Sequence, residues 1–302
     1  MFRKFLLAIV IACLQLAVCS WQCFAQQVTI KGKVDTAYLS EAGSIYTYTY
    51  DDHISYREKE LAACTLDVQG NFKLNFSIQK STFIFLAVSN AKVEMAVEPG
   101  KEYIVVVLAK DSNAVNTLSS TNPVELEFNN SDKNELNFLI ADFTERYEMM
   151  LDDYKGNIAR KEPAIFKKID TLETLFKKKY STYNNPYLNN HVHYTFALLE
   201  DNVTLENKER LYKKHIEGKP ILLNDHNYMT FFNQFYSVTT DYFMDHPKMI
   251  GELNTKQTFS SLMEFLKQSK LLANDTLRET VLLKCLSQYF RYPDYKASAV
   301  LS

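Results

Sequence analysis

Two histidines separated by one residue, His191 and His193, are the side chains whose spacing most resembles a metal-binding pair. Neutral imidazole is a good ligand for zinc or copper. On a helix, however, residues two apart point to different faces, whereas residues four apart converge. We therefore interpret the pair as partly exposed polar residues of a helix. We assign no role to His215, His226 and His246, which fall at predicted helix ends or in loops.

Cysteine and carboxylate chemistry is equally weakly supported. The two cysteines beyond residue 25, Cys64 and Cys285, fall in different predicted domains. They could pair in an oxidising compartment, but each is more typical of a small buried hydrophobic side chain. The acidic pairs Asp51-Asp52 and Asp152-Asp153 are adjacent in sequence, which does not place two carboxylates across a cleft. The sequence also lacks the short motifs of serine hydrolases, zinc proteases, phosphate-binding loops and calcium loops. We expect no catalytic, cofactor-binding or metal-binding residue.

Aromatic residues form two patterns that could serve binding. One series follows helical spacing, which predicts the buried side of a helix rather than a ligand groove. Its members are Tyr228, Phe231, Phe232, Phe235, Tyr236, Tyr242 and Phe243. In the other pattern Tyr46, Tyr48 and Tyr50 share one face of a predicted strand. If that face is uncovered, the three rings form an exposed strip suited to contact with a partner.

The first 25 residues have the pattern of a secretory signal peptide. Arg3 and Lys4 precede an apolar run from residue 5 to 18, and small side chains in Cys23-Phe24-Ala25 favour cleavage before Gln26. A membrane anchor would need about 20 apolar residues, and polar residues interrupt this run. Lipidation at Cys13 is a weaker alternative, because it would leave an apolar stretch on the product. We therefore expect export to the periplasm or cell envelope of a bacterium.

Composition limits the class of protein further. Removing residues 1–25 leaves 32 Lys and Arg against 36 Asp and Glu, a net charge of about −4. A dedicated nucleic-acid binder would show a basic surface. We interpret the basic clusters 177–179 and Lys213-Lys214 as solvated helix faces. The remaining 277 residues suit two domains.

Residues 26–128 alternate apolar and polar side chains, as strands do. Leu66, Val68 and then Phe72 to Phe76 flank Gln69-Gly70-Asn71, which predicts a hairpin with Gly70 in its turn. Further short strands follow at 83–88, 93–97, 103–108 and 124–128. The spacing predicts an antiparallel β-sandwich domain.

The hydrophobic period changes to that of helices from residue 131 onward. An Asn- and Ser-rich stretch, 113–122, precedes the change, so the domain boundary is predicted near 122–131. Helix starts are predicted at Pro163, Pro186 and after Thr204, Asp225, Thr255 and Asn274. We therefore predict an α+β protein in two parts, the β-sandwich followed by an all-helical domain at 131–302.

The order of these elements resembles a known family. The segments 28–34 (VTIKGKV), 66–72 (LDVQGNF) and 97–100 (VEPG), after an export signal, look like the N-terminal domain of unknown function in envelope proteins of the TlpA type. In that family a helical segment similar to 131–296 follows, and then a thioredoxin-fold domain with a redox Cys-x-x-Cys. That domain would begin beyond Ser302, so the resemblance assigns no redox residue here.

Two functions remain open from the sequence. The resemblance implies a non-catalytic envelope protein that holds or presents a protein or peptide partner. The alternative is a component of a thiol–disulfide oxidoreductase whose thioredoxin domain is missing from the chain. The aromatic end, 289–301, is expected either to dock on the helical domain or to meet a following domain or partner.

Overall fold

The structure is a computed structural model that describes residues 25–35, 43–89, 91–109, 124–129, 132–160, 162–203, 208–237, 263–264, 266–267 and 269–291. Several predictions concern residues outside these ranges. They are the leader with Cys13, the stretch 113–122, the helix start at Thr204, His246, Tyr242, Phe243, the helix after Thr255 and the chain beyond Arg291.

Within the described ranges, the first part of the chain forms two four-stranded sheets. Their strands are β1 (Gln26–Val34), β2 (Ser44–Tyr50), β3 (Glu58–Thr65), β4 (Asn71–Ile78), β5 (Thr82–Val88), β6 (Ala91–Val97), β7 (Glu102–Ala109) and β8 (Val124–Phe128). The strand orders are β4-β1-β7-β8 and β3-β2-β5-β6. One continuous apolar core contains inward side chains of both sheets, such as Ile30 and Ile84. The predicted two-sheet β region is confirmed.

One pairing differs from the predicted antiparallel arrangement. β1 pairs antiparallel with β4 but parallel with β7, with Ile30 opposite Tyr103. The close approach of β7 also explains Gly32 in the middle of β1. A Cβ atom there would lie 2.3 Å from the carbonyl oxygen of Val105. Glycine is therefore required by contact with the neighbouring strand rather than by a turn.

The hairpin predicted around Gly70 is wrong. Its two strands, β3 and β4, lie in different sheets, so the turn connects one layer to the other. The local turn chemistry is nevertheless as expected. Gly70 has φ of 83°, and the Asp67 carboxylate accepts hydrogen bonds from the backbone N–H groups of Gln69 and Asn71. A tight turn reverses the chain, but it does not decide which strand becomes the neighbour.

The helical part confirms most of the predicted starts. Its helices are α1 (Leu136–Ala159), α2 (Pro163–Tyr180), α3 (Pro186–Val203), α4 (Lys208–His215), α5 (His226–Phe235) and α6 (Asp275–Arg291). Asp225 caps α5 by accepting from the N–H of Tyr228 at 2.9 Å, and Asn274 caps α6 by accepting from the N–H of Leu277 at 2.8 Å. None of the helices in the described part of the chain is long and apolar enough to cross a bilayer.

The chain divides by its contacts into two compact units. Of the described residues, those up to Thr49 and within 59–132 form the first unit, and Tyr50–Glu58 together with those from Lys133 onward form the second. Within the second unit, Asn233 donates hydrogen bonds to the His53 carbonyl and the Tyr56 hydroxyl, at 2.9 and 2.8 Å. Ile54 packs against the helical core. The loop between β2 and β3 is therefore an early piece of the helical unit.

Candidate functional site

Three helices of the second unit bring charged side chains together at the ammonium group of Lys214. Lys214, on α4, donates to Asp170 and Glu173 of α2 at 2.6 and 2.8 Å, and it also contacts Glu200 of α3. The side chains of Glu173 and Glu200 are 5% and 1% exposed. Carboxylates buried to this degree need cationic partners. We call this group, with the residues that contact it below, the charge cluster.

Two further cations complete the charge balance. Lys177 contacts Glu173 at 2.7 Å from one turn further along α2. Arg210 lies 3.5 Å from Glu200 and 3.8 Å from Asp170. Three carboxylates thus face three cations. The interpretation of Lys214 as part of a solvated helix face is wrong, because its ammonium contacts acids of both α2 and α3. Lys177 is still 43% exposed, although its ammonium contacts Glu173.

Two histidines join the buried carboxylates into a continuous chain of contacts. His193 Nδ1 lies 2.9 Å from Glu173, and His215 Nε2 lies 3.2 Å from Glu200. The facing nitrogens, His193 Nε2 and His215 Nδ1, are 3.3 Å apart. His193 and His215 therefore connect the two acids through a pair of imidazole rings. The His215 side chain is fully buried.

These contacts keep the two buried carboxylates of the charge cluster ionised. Burial alone would raise the pKa of Glu200, but hydrogen bonds from His215 and Lys214 lower it to about 2. Burial opposes the charge of Glu173 as well, yet bonds from His193, Lys177 and Lys214 hold its pKa well below the usual range. Burial lowers the pKa of His193 and of His215, so both rings favour the neutral form.

A metal ion is the obvious ligand to test against this arrangement. Carboxyl oxygens of Asp170, Glu173 and Glu200 all lie within 4.8 Å of one another. The position between them is taken by the Lys214 ammonium, whose pKa their hydrogen bonds raise against the effect of burial. A divalent ion would have to displace this lysine and would then face the charges of Lys177 and Arg210. The residues present do not fit a metal centre, and the cluster is suited to holding three helices together.

The charge cluster could not be predicted from the sequence. Its members come from α2, α3 and α4, and no spacing within one helix reveals them. One signal was present: Glu173 falls on the same helical stripe as the buried Ile165 and Ile169 of α2. A carboxylate on an apolar stripe requires a partner from another element.

The other residues considered from the sequence have separate environments. His191 Nδ1 lies 2.8 Å from the side-chain oxygen of Asn227, whereas His193 faces Glu173, so the two histidines do not converge. The described members of the aromatic series are buried in the helical core, which confirms core packing; they are Tyr228, Phe231, Phe232, Phe235 and Tyr236. Cys64 and Cys285 are both thiols. In β2 the Tyr46 side chain is exposed, and Tyr48 and Tyr50 are half-buried.

A surface groove runs between α1 and α2 on the same unit, with a volume of about 410 Å³. Its lining residues are Arg146, Met149, Met150, Asp153, Tyr154, Leu172, Leu175, Phe176 and Lys179. Met149 and Leu175 are 63% and 57% exposed. Two large apolar side chains are thus presented to solvent along one groove.

No protein-family model matches this chain, and no curated protein matches it.

Proposed function

We propose that this chain is a non-catalytic exported envelope protein that holds a protein or peptide partner. The observation that supports the non-catalytic part of the proposal is that the groups of the charge cluster are paired with one another. Its carboxylates are each engaged by a cation, so the strongest concentration of ionisable groups in the described residues serves helix packing. A general base needs a proton-accepting group directed toward a substrate. Glu173 and Glu200 are directed toward Lys214 instead.

The resemblance to the N-terminal region of TlpA-type proteins supports the same function. In that family the redox work belongs to the thioredoxin-fold domain, so the resemblance gives the region in this chain no catalytic role. Thiol–disulfide exchange needs a thiolate of low pKa and a second cysteine to resolve the mixed disulfide. Neither Cys64 nor Cys285 has a second cysteine three residues away in the sequence, so neither belongs to a Cys-x-x-Cys motif.

An insulin reduction assay tests the non-catalytic assignment. Purified residues 26–302 should not accelerate the reduction of insulin by dithiothreitol above background. The Cys64→Ser and Cys285→Ser variants serve as matched controls. Turnover that either substitution abolishes would overturn the proposal and favour the alternative, a component of a thiol–disulfide oxidoreductase.

Export is tested separately. The full chain, expressed in a bacterial host, should appear in the envelope fraction with Gln26 as its first residue. Retention of Met1 in the cytoplasmic fraction would remove export from the proposal. A lipid attached at Cys13 would replace cleavage before Gln26 with membrane anchoring.

A further inference from the structure

The loop between β2 and β3 is closed at its base by its own hydrogen bonds. The backbone N–H of Asp51 donates to the carbonyl of Arg57 at 2.8 Å, and the side chains of the same two residues form an ion pair. Inside the loop, the Asp52 carboxylate accepts hydrogen bonds from the backbone N–H groups of Ile54 and Ser55, at 2.8 and 2.5 Å. These bonds close the loop independently of the helices that it contacts.

The same loop is docked on α5 and α6. The Asn233 amide of α5 donates to the His53 carbonyl and the Tyr56 hydroxyl, and the Ser287 hydroxyl of α6 donates to the Ile54 carbonyl at 3.2 Å. The Ile54 side chain packs against the helical core. Backbone strain opposes these contacts, because Tyr56 has φ of 54°, a left-handed conformation that is rare for a bulky residue. Release from the helices would allow Tyr56 to leave this conformation.

Two imidazole rings meet where the loop contacts α5. His53, which is 6% exposed, has its ring centre 5.4 Å from that of His226. The rings of Tyr50 and Tyr56 lie on other sides of His53, with centres at 5.5 and 6.3 Å. His226 is the first residue of α5, where the helix dipole disfavours a positive charge. A proton added to this pair of rings is therefore poorly accommodated while the loop is docked.

The charged groups around His226 do not compensate for such a proton. Burial lowers the pKa of His226 most, His53 lowers it further, Asp225 raises it and His191 of α3 lowers it, with a result of about 4. The Asp225 carboxylate is already bonded to the Asn190 side chain at 2.7 Å. Release of the loop removes His53 and part of the burial, so the released state binds a proton at a higher pH than the docked state. Docking is therefore weakened as the pH falls from 6.5 toward 4.

We propose that the β2–β3 loop is a pH-sensitive switch, which is docked on α5 and α6 at neutral pH and detaches when the His53–His226 pair binds a proton in mild acid. The inference goes beyond the proposed function and does not depend on it, because every group involved belongs to the helical unit. As an upper limit, with His226 returned to its ordinary pKa, the equilibrium constant for release rises on the order of 20-fold between pH 7 and pH 5. Release uncovers the part of the helical core against which Ile54 packs.

Methyl NMR of purified residues 26–302, labelled at isoleucine, follows the loop between pH 7 and pH 4.5. A synthetic peptide of residues 50–58 gives the position of the Ile54 methyl signal in the released loop. In the protein, this signal should move toward that position as the pH falls, and it should return when neutral pH is restored. Ile216 of the same helical core and Ile30 of the β unit should keep their NOE contacts, which distinguishes release of the loop from unfolding.

Variants assign the release to the two rings. His226→Gln should keep Ile54 docked at pH 4.5. His53→Gln should lower the pH of release, and it tests the ring pair even if His226→Gln does not fold. Asn233→Ala loses both hydrogen bonds to the loop and should raise the midpoint of release by at least about half a pH unit. Gln234→Ala is its matched control and should leave the midpoint unchanged, because the Gln234 side chain contacts α3 rather than the loop.

Three outcomes would overturn the inference. In the first, Ile54 keeps its docked position at pH 4.5 in both the wild-type protein and the Asn233→Ala variant. In the second, Ile54 and Ile216 lose their core contacts at the same pH, which shows acid unfolding of the whole helical unit. In the third, His226→Gln and His53→Gln release the loop at the same pH as the wild type, so other groups bind the proton.

Discussion

His193 Nε2 and His215 Nδ1 lie 3.3 Å apart, and each ring turns its other nitrogen toward a buried carboxylate. Hydrogen bonds at all three contacts would need three N–H protons on two rings. Two neutral imidazoles carry two such protons, so a fully bonded chain holds one additional proton and one positive charge. The pair therefore titrates as a unit rather than as two separate histidines.

We predict that the histidine pair takes up a single proton on mild acidification. Burial lowers the pKa of each ring from 6.5, so the uptake should occur below that pH. Nitrogen-15 NMR of the imidazoles between pH 8 and 4 should show one shared proton on His193 and His215. His215→Gln should abolish the shared signal. Two independent protonations above pH 6.5 would contradict the prediction.

Loss of the Lys214 ammonium should be strongly destabilising. Lys214→Met leaves Glu173 and Glu200 with less cationic compensation in a largely buried position, which costs about 2 to 4 kcal/mol of unfolding free energy after allowance for the partial exposure of the lysine. Urea denaturation at pH 7 measures the change. Lys213→Met, one residue earlier and exposed, is the control and should change stability by less than about 0.5 kcal/mol. Equal effects of the two substitutions would show that the charge cluster contributes nothing specific.

His226 should make the protein less stable in mild acid. Burial, followed by the nearby His53, lowers its pKa from 6.5 to about 4. The unfolded chain therefore binds a proton at a higher pH than the folded chain, and stability falls as the pH drops from about 6.5 toward 4. The full effect is on the order of 3 kcal/mol. His226→Gln should reduce the slope over this window, measured by urea denaturation at half-unit steps of pH, and the His193–His215 pair should account for part of what remains. An unchanged slope would remove His226 as its source.

Gly32 and Gly43 provide a matched pair in the β unit. Gly32→Ala places a Cβ atom 2.3 Å from the Val105 carbonyl oxygen and 2.7 Å from the Phe72 ring, so β1 or β7 must shift. We expect a loss of at least about 2 kcal/mol, in the range of overpacked core positions. Gly43→Ala meets nothing within 4 Å and should be nearly neutral in thermal denaturation. A neutral Gly32→Ala would show that the two strands separate readily.

Limited proteolysis should cut first near residues 122–131, where the sequence pattern changes.

The helical fragment 131–302, made alone, lacks Tyr50–Glu58 and with it the two hydrogen bonds of Asn233. The fragment should therefore unfold at a lower urea concentration than the same helices in the intact chain. Addition of a synthetic peptide of residues 50–58 should raise the unfolding midpoint of the fragment part of the way to that of the intact chain. Identical unfolding of fragment and intact chain would mean that the segment adds no stability.

Local patterns in the sequence predicted local structure well. The caps Asp225 and Asn274 each act within three residues, and the alternation of β4 follows from the burial of one face, so these elements could be predicted. Pairing could not. Nothing near Gly70 specifies that β4 joins β1 instead of β3, because that choice depends on contacts distant in sequence.

The charge cluster shows the same limit for side chains. Glu173, Glu200 and Lys214 could each be placed on a helix, but their convergence depends on how three helices pack. The sequence predicts Lys214 to be a surface residue, because it follows another lysine and adjacent lysines are usually exposed to solvent. Its environment is decided by residues 14 and 41 positions away, Glu200 and Glu173.

The membership of Tyr50–Glu58 in the helical unit has a consequence for the protein's synthesis. The hydrogen-bond partners of this segment are translated much later. Asn233 follows Tyr56 by 177 residues. Ser287 donates a hydrogen bond to the carbonyl of Ile54 and follows Ile54 by 233 residues. At ribosomal rates of about 5 to 20 residues per second, the segment waits roughly 10 to 45 s for them. During that interval the nascent chain exposes Ile54 and unmatched backbone carbonyls. A chaperone or translocation factor that acts on this protein should therefore bind the β2–β3 loop before any helix has been translated.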